Sequence, residues 1–462
     1  MKCHRVLALC SIMASGFLRP WAGIAAAQEP AHPESPASGK DSQQEAAKAP
    51  QPLRLTLQDT LALARKNSIP FQAAQTDAAI SRQDRYQAAT ALLPSVTYNN
   101  QALYTQLNRN GVVFIANNAA HEYISQGNIH ESLDLAGVSS FRRASFAAAA
   151  ARARAEIASR GLVVTVVQSY YAVAAAQQKL EAAQKAESEG GRFLKLTQDL
   201  EHGGEVAHSD AIKAELQAQE RRRQLQEAQL ALLNARLDLA VLIFPDFNDN
   251  YEVADDLHAV LPLPTLGEVQ QQAARDNPEI RAALAAVSEA GWDVTGARAG
   301  YLPSLAVDYW YGIDAPQFAT NSFINGQKVS NLGSSAAATL NIPIWNWGAT
   351  QSRVKQAELR RSQARRELSL AQRKLLAEIK SLYAEAETAL SELGGLGRSA
   401  ELAAESLRLT TLRYRNGEAT VLEVVDAQST AAQSNFGYQD GAVRYRVALA
   451  NLQTLTGVLT TP

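Results

Sequence analysis

The sequence predicts an internally duplicated membrane protein of mixed α and β structure, in which short strands alternate with long helical hairpins. Three observations support this prediction. Residue landmarks recur at a nearly constant offset of about 210 positions. Each copy contains segments in which apolar and polar residues alternate, as in strands with two different faces. Each copy then ends in about a hundred residues with helical periodicity, interrupted by one glycine-containing turn.

Residues 1–27 have the features of a secretory signal peptide. Lys2 and Arg5 precede an apolar run, and Ala25-Ala26-Ala27 is a suitable cleavage site. The apolar run is too short to span a membrane. The segment Leu7-Ala8-Leu9-Cys10 departs from a lipid-attachment motif, because a bulky leucine precedes the cysteine. We therefore expect an exported chain that is not lipidated.

The exported chain is expected to lack cysteine and to be mildly acidic. Cys3 and Cys10 both lie in the predicted signal peptide, which leaves no thiol for disulfides or metal sites. Removing the three basic residues of that segment leaves 41 basic and 46 acidic residues, a balance that does not favour nucleic-acid binding. No later segment has the roughly 18 apolar residues of a membrane-spanning helix, so membrane insertion would have to use strands.

Proline and glycine landmarks define the two copies. Leu93-Pro94-Ser95 recurs as Leu302-Pro303-Ser304 at an offset of 209. Near the hairpin turns, Gly204-Glu205-Val206-Ala207 recurs as Gly417-Glu418-Ala419-Thr420 at an offset of 213. We therefore predict a disordered leader at residues 28–52, a first repeat at 53–244, a linker at 245–264 and a second repeat at 265–462.

Each copy is predicted to open with one helix, at about 57–92 and 265–300, which ends before the proline of the landmark. Strands should follow near 95–108, 122–135, 304–314 and 331–344, with polar loops at about 109–121 and 315–329.

Alternation in these strands predicts an apolar face and a polar face. After Ser304, Val307, Tyr309 and Tyr311 fall on one face, whereas Asp308 falls on the other. Such strands match the wall of a transmembrane barrel. Four strands cannot close a barrel, and lipid does not tolerate an open sheet edge, so several chains would have to combine their strands. The alternative is a pair of two-stranded sheets packed on helices in a soluble protein.

Each copy should close with a long helical hairpin. The first is predicted from about 138 to 244 with a turn at 202–204, and the second from about 348 to 455 with a turn at 414–417. Apolar residues recur there in steps of four and three, the pattern of helices packed as a coiled coil. The predicted seam of the second hairpin contains Leu375, Ile379, Leu382, Ala386, Ala389 and Leu393, and that of the first contains Leu230, Leu233, Leu237 and Ala240.

From about Leu53 to Leu459 the chain resembles the TolC-like outer-membrane efflux proteins. The strongest motifs are the internal duplication, the helix entry Ile342-Pro343-Ile344-Trp345-Asn346-Trp347-Gly348, and the segment from Tyr414 to Asp426. The resemblance implies a homotrimer. Its chains would form one twelve-stranded β-barrel in the outer membrane, continued by a twelve-helix coiled-coil tunnel across the periplasm.

The function that the resemblance implies is that of a passive exit duct for small molecules, docked by a periplasmic adaptor protein and powered by an inner-membrane pump. The sequence contains no phosphate-binding loop, nucleophile elbow or metal-binding His-Glu helix, so we expect neither an enzyme nor a cofactor. Two alternatives are a duct for type I protein secretion and a soluble periplasmic coiled-coil scaffold.

The resemblance also implies a narrow periplasmic aperture at the hairpin turns, with Asp210, Tyr414, Glu423 and Asp426 as its residues. Glu423 and Asp426 are three positions apart and therefore share a helix face. Judged without the resemblance, the two carboxylates are simply solvated. Some members carry an arginine that holds the tip shut at the position of Ala419, and Arg413 or Arg415 is a candidate substitute.

Overall fold

The computed structural model describes residues 53–105, 121–246, 250–254, 257, 261–324 and 326–460. The predicted signal peptide at 1–27 and leader at 28–52 lie outside the described residues. In chain order the elements are β1 (Leu53–Leu55), α1 (Leu57–Asn67), α2 (Ile69–Thr90), β2 (Ser95–Tyr104), β3 (His121–Leu133), α3 (Leu135–His202), α4 (His208–Ile243), β4 (Tyr251–Val253), α5 (Leu266–Asp276), α6 (Pro278–Ala299), β5 (Ser304–Ala315), β6 (Asn321–Ile324), β7 (Gln327–Ser330), β8 (Leu332–Asn341), α7 (Ala349–Arg415) and α8 (Val421–Thr456).

The prediction of one opening helix in each copy is wrong, because each predicted helix is two helices. Ser68 separates α1 from α2 in extended backbone, and its hydroxyl accepts the Phe71 N–H as the N-cap of α2. Asn277 does the same between α5 and α6, where its side chain accepts the Ile280 N–H at 2.9 Å. In both places a proline follows the cap within two residues and favours a new helix start over helix continuation.

The strands of both copies form one antiparallel sheet in the order β2-β3-β5-β8. The alternative of two separate two-stranded sheets is therefore wrong, since β3 of the first copy pairs directly with β5 of the second. The predicted strand positions are confirmed to within a few residues where the structure describes them.

The register of the sheet confirms the two predicted faces. Tyr309 lies opposite Ile129 and Ala336, and its neighbour Asp308 lies opposite His130 and Ala337. The Asp308 carboxylate is 2.7 Å from Nδ1 of His130, so the polar face carries an ion pair when the histidine is protonated. The apolar face is open in a single chain, with Tyr309 exposed by 42%.

Two segments predicted as loop or linker contain strands. The predicted polar loop at 315–329 includes the hairpin of β6 and β7. The predicted linker at 245–264 includes β4, which pairs in parallel with β1. Tyr251 in β4 is buried, and Tyr170 of α3 donates a hydrogen bond to the carbonyl of Ala254 at 2.7 Å. This part of the linker therefore belongs to the core.

The two helical hairpins are confirmed. One pairs α3 with α4 and the other pairs α7 with α8, and the longer arm of each spans roughly 100 Å at about 1.5 Å per residue. The seam of the second hairpin is buried or half-buried, as predicted. The predicted seam of the first is wrong in part, because Leu230 and Leu233 are exposed while Leu239, Ala240 and Ile243 occupy the core.

Within the described residues, no helix has both the length and the apolar character needed to cross a membrane.

Gly312 marks a close contact between two strands of the sheet. A Cβ atom at this position would lie 2.3 Å from the Ser125 carbonyl oxygen and 2.5 Å from Gln126 Cα, so an added methyl group would push β3 away from β5. We expect Gly312→Ala to lower the free energy of unfolding by about 1–3 kcal/mol, measured by denaturant unfolding followed through Trp310 fluorescence.

Gly333→Ala is the matched control, because Gly333 pairs with Gly312 but a Cβ there would meet no atom within 4 Å. Equal stability of the two variants would contradict the close contact.

Candidate functional site at the hairpin turns

Both hairpins turn at a glycine in the left-handed backbone conformation. Gly204 has a φ of 76° and Gly417 has a φ of 75°, values that residues with a Cβ rarely adopt. The N–H of Glu205 bonds to the Leu200 carbonyl and that of Glu418 to the Arg413 carbonyl, each at 2.9 Å. The same turn chemistry therefore ends the first arm of each hairpin.

The two turns lie side by side. A small apolar core joins the ends of α3 and α7 to the beginnings of α4 and α8. Its buried members are Phe193, Ala214, Tyr414, Val421 and Val424. Because this core draws on all four long helices, the structure brings the four predicted aperture residues into one region of the molecule.

Tyr414 is packed between the hairpins. It is 4% exposed, its ring centroid is 5.2 Å from that of Phe193, and its hydroxyl donates to Thr197 Oγ1 at 3.3 Å. Burial raises the pKa of Tyr414, the bond to Thr197 opposes that rise, and the nearby Asp210 carboxylate adds to it. In a single chain, Tyr414 joins the two hairpins through packing.

Glu423 forms a capping box with Thr420, which the sequence reasoning missed. Its carboxylate accepts the Thr420 backbone N–H and hydroxyl, each at 3.1 Å, while the Thr420 hydroxyl accepts the Glu423 N–H at 3.3 Å. These hydrogen bonds lower the pKa of Glu423, and Arg413 acts in the same direction. A threonine followed three residues later by glutamate is a recognised helix-start signal, so the role was detectable in the sequence.

Arg413 makes two contacts that stabilise the second turn. Its Nη2 donates to the Glu418 carbonyl at 2.9 Å, and its Nη1 lies 3.6 Å from a Glu423 carboxylate oxygen. Ala419 is half-buried against the apolar core of the turns. Arg413 therefore holds the turn of its own hairpin.

The other two carboxylates differ in their neighbours. Asp210 occupies the first-hairpin position that corresponds to Glu423, but Ala207 there offers no side-chain cap, and Lys213 donates to Asp210 at 3.3 Å. Asp426 corresponds to Lys213. It is exposed and forms no hydrogen bond or ion pair within the described part of the chain. Of the three carboxylates, Asp426 therefore has its charge least compensated.

In the described ranges, no group of three or more metal-binding side chains occurs.

The Thr420 cap generates a stability prediction. Thr420→Ala should weaken the first turn of α8 by about 1 kcal/mol, seen as faster hydrogen–deuterium exchange of the Val424 amide. Because the pKa of Glu423 is lowered, its contribution is complete above the ordinary carboxyl value of 4.5 and is lost as the pH falls through the lowered value. The exchange difference between wild type and variant should therefore shrink in acid.

Thr430→Ala, at an exposed site in the third turn of α8, serves as the control. Unchanged exchange at Val424 in Thr420→Ala would show that the cap contributes nothing.

Known proteins resemble this chain along nearly all of its described length. A family model described as "Outer membrane efflux protein" matches residues 269–458. The outer membrane protein TolC of Vibrio cholerae is 23% identical over 303 residues, which are 65% of this chain and 68% of that protein. The alkaline protease secretion protein AprF of Pseudomonas aeruginosa is 24% identical over 425 residues, 88% of this chain and 85% of AprF.

Solved structures show the same fold. The CmeC outer membrane channel of Campylobacter jejuni matches with a TM-score of 0.73 at 17% identity, covering 87% of this chain and 85% of CmeC. The open state of the MtrE outer membrane channel of Neisseria gonorrhoeae matches with a TM-score of 0.72 at 22% identity, covering 87% and 88% of the two chains. The family model, the relatives and the fold together show that this chain is similar to the TolC-like outer-membrane efflux proteins.

Proposed function

We propose that three copies of this chain form the passive exit duct of a tripartite efflux system, crossing the outer membrane as one β-barrel and the periplasm as one helical tunnel. The observation that carries this proposal is the four-stranded sheet, which has one polar face, one apolar face and two open edges. The similarity to outer-membrane channels supports a channel protein and not an enzyme.

The open edges require other copies. Within the described part of the chain, β2 and β8 each pair on one side only. In a bilayer each unpaired backbone group costs several kcal/mol, so β8 of one copy must pair with β2 of the next. Four strands are too few to close, whereas three copies supply the twelve strands that the family resemblance implies.

The helices support a continuous tunnel. Each chain contributes α3, α4, α7 and α8, so three copies supply twelve helices around the axis that the barrel defines. An arm of roughly 100 Å is long enough to reach far from the membrane. The order of two helices, two sheet strands and a long hairpin occurs twice, which supports an internal duplication with repeats at 53–244 and 265–462.

The hairpin turns are the proposed meeting point with a periplasmic adaptor protein and, through it, an inner-membrane pump. Support comes from their position, because both turns lie together at the end of the hairpins remote from the sheet. The same region is proposed to form the aperture, with Asp210, Tyr414, Glu423 and Asp426 around the axis. Among these residues, Asp426 is the best candidate for a carboxylate that acts on passing ions.

A second candidate function is type I protein secretion. The specific observation in its favour is the match to AprF, a protein described by its role in alkaline protease secretion, which covers more of this chain than the match to TolC does. The soluble scaffold alternative is set aside, because the matching family model and the relatives are described as outer-membrane proteins.

Export from cells tests the proposed function. In a host strain lacking this gene, wild-type protein should lower the accumulation of a fluorescent efflux dye, and Tyr309→Asp should abolish the effect. A charge facing lipid costs on the order of 2 kcal/mol per copy. Asp308→Asn is the matched control on the polar face and should retain most of the activity. Restored protein secretion into the medium without restored dye efflux would favour the secretion alternative.

If Tyr309→Asp retained both dye efflux and protein secretion and was present in normal amounts in outer-membrane fractions, the assignment of the sheet faces would be contradicted.

The aperture predicts cation selectivity that depends mainly on Asp426. Three copies would bring three Asp426 carboxylates around one axis, and carboxylates that share a narrow passage favour cations. In planar bilayers, Asp426→Asn should reduce the cation-to-anion permeability ratio and the block by divalent cations from the periplasmic side. Glu423→Gln should change both less, because Arg413 and Thr420 already compensate that charge.

The double variant, with both carboxylates neutralised, should lose most of the selectivity. Unchanged selectivity in the double variant would mean that these carboxylates are solvated helix surface.

A further inference from the structure

A cleft of about 350 Å³ lies where the start of α6 meets the last turns of α8, between α3 and α7. We call it the joint cleft. A volume of this size is within the range of small-molecule sites. Its apolar walls come from three of the long helices and consist of Ile157 and Val164 of α3, Leu382 of α7 and Leu455 of α8. The joint cleft can therefore hold the apolar part of a small ligand.

Arg160 of α3 forms the buried side of the joint cleft and is only 8% exposed. Its Nη1 donates to the Leu455 carbonyl at 2.8 Å, and its Nη2 donates to the Asp276 carbonyl at 2.9 Å and to the Glu156 carboxylate at 3.0 Å. The charge of Arg160 is therefore compensated by one carboxylate and by the C-terminal ends of α5 and α8. Its Nε has no acceptor within the described part of the chain, and a buried N–H without an acceptor is unfavourable.

Two carboxylates in the lining of the joint cleft lack a cationic partner. Glu279 in the first turn of α6 and Glu378 of α7 form no hydrogen bond or ion pair within the described ranges. Desolvation by the surrounding helices raises the pKa of Glu378, and repulsion by the Glu279 carboxylate adds to this rise. The joint cleft therefore combines apolar walls with uncompensated negative charge.

The joint cleft does not lie where another copy is expected. α3 packs against α2 and α4 and also against α6 and α8, whereas α7 packs against α6 and α8. The pair of α2 and α4 and the helix α7 are therefore the two edges of the helical layer, just as β2 and β8 are the edges of the sheet. A neighbouring copy would meet these edges, so the joint cleft between α3 and α7 would stay open in the proposed trimer.

Gly161 of α3 contributes space to the joint cleft. It is exposed, and a Cβ atom at this position would meet no atom within 4 Å. Glycine is unfavourable in the interior of a helix, and no packing contact within the described residues requires it here. A larger side chain at this position would occupy part of the joint cleft.

We propose that the joint cleft binds amphipathic organic cations. The ammonium group lies between Glu279 and Glu378 and relieves their mutual repulsion, and the apolar part of the ligand contacts the apolar walls. An oxygen atom on the ligand accepts the Nε–H of Arg160. The proposal goes beyond the proposed function, because it requires only the helices of a single chain.

The chemistry of the lining favours an organic cation over the other small ligands. A divalent metal ion takes six or more oxygen ligands, whereas the described residues contain no group of three or more metal-binding side chains. An anion would be repelled by the two carboxylates. An uncharged apolar molecule would leave that repulsion in place.

A matched pair of ligands tests the proposal. Benzoylcholine has an apolar ring, an ester oxygen and a permanent positive charge, and its uncharged isostere carries a tert-butyl group in place of the trimethylammonium group. Binding is measured by isothermal titration calorimetry on the protein in phosphatidylcholine nanodiscs, with empty nanodiscs as the blank. We expect benzoylcholine to bind on the order of tenfold more tightly than the isostere, because it alone interacts with the carboxylates as a cation.

A variant that fills the joint cleft tests its location. Gly161→Leu should weaken benzoylcholine binding by at least about tenfold while the helix content seen by circular dichroism is retained, because leucine favours a helix more than glycine does. Gly191→Leu is the matched control on α3, since a Cβ there also meets no atom within 4 Å. Equal binding by the two variants would overturn the proposal.

A charge variant tests the role of the carboxylates. Glu279→Gln with Glu378→Gln should lower the affinity for benzoylcholine to about that for the isostere, a loss on the order of tenfold. Glu205→Gln with Glu387→Gln is the matched control, because it removes two exposed carboxylates that lie outside the joint cleft. Equal affinity of the wild-type protein for the two ligands, or displacement of benzoylcholine by an equal concentration of magnesium chloride, would overturn the proposal.

Discussion

The unpaired backbone groups along the outer edges of β2 and β8 are the constraint on which the rest of this structure depends. In water such edges can bond to solvent, but in lipid they have no partner other than another strand. A sheet of four strands whose apolar face is proposed to meet lipid is therefore incomplete as a single chain. The proposed completion by further copies also accounts for the exposure of apolar helix residues such as Leu230 and Leu233 in the single chain.

Sequence periodicity predicted the main strands and helices of the fold but not the helix breaks and the short strands between them. Alternation around Asp308 and Tyr309 predicted the two faces correctly, because a strand reverses its side chains at every residue. The helix break at Ser68 was missed, because a proline in the first turn of a helix leaves the helical periodicity on either side almost undisturbed. The strand around Tyr251 was also missed, because three residues are too short for a pattern and their partner strand is nearly 200 residues away in the sequence.

For the four aperture residues, the sequence likewise predicted a shared position but not the individual roles. The family resemblance implied that Asp210, Tyr414, Glu423 and Asp426 lie near the turns, and packing of all four long helices around Phe193 brings them into one region. Sequence reasoning could not separate their roles. The burial of Tyr414, the cap formed by Glu423 and the compensation of Asp210 by Lys213 all depend on neighbours in space. The capping box was the exception, since its spacing was readable in the sequence.

The central claim remains the completion of the sheet by other copies. Native mass spectrometry of the detergent-solubilised protein tests it most directly. Particles of three chains are the predicted result, and a single chain that stays folded and soluble without detergent would contradict the account.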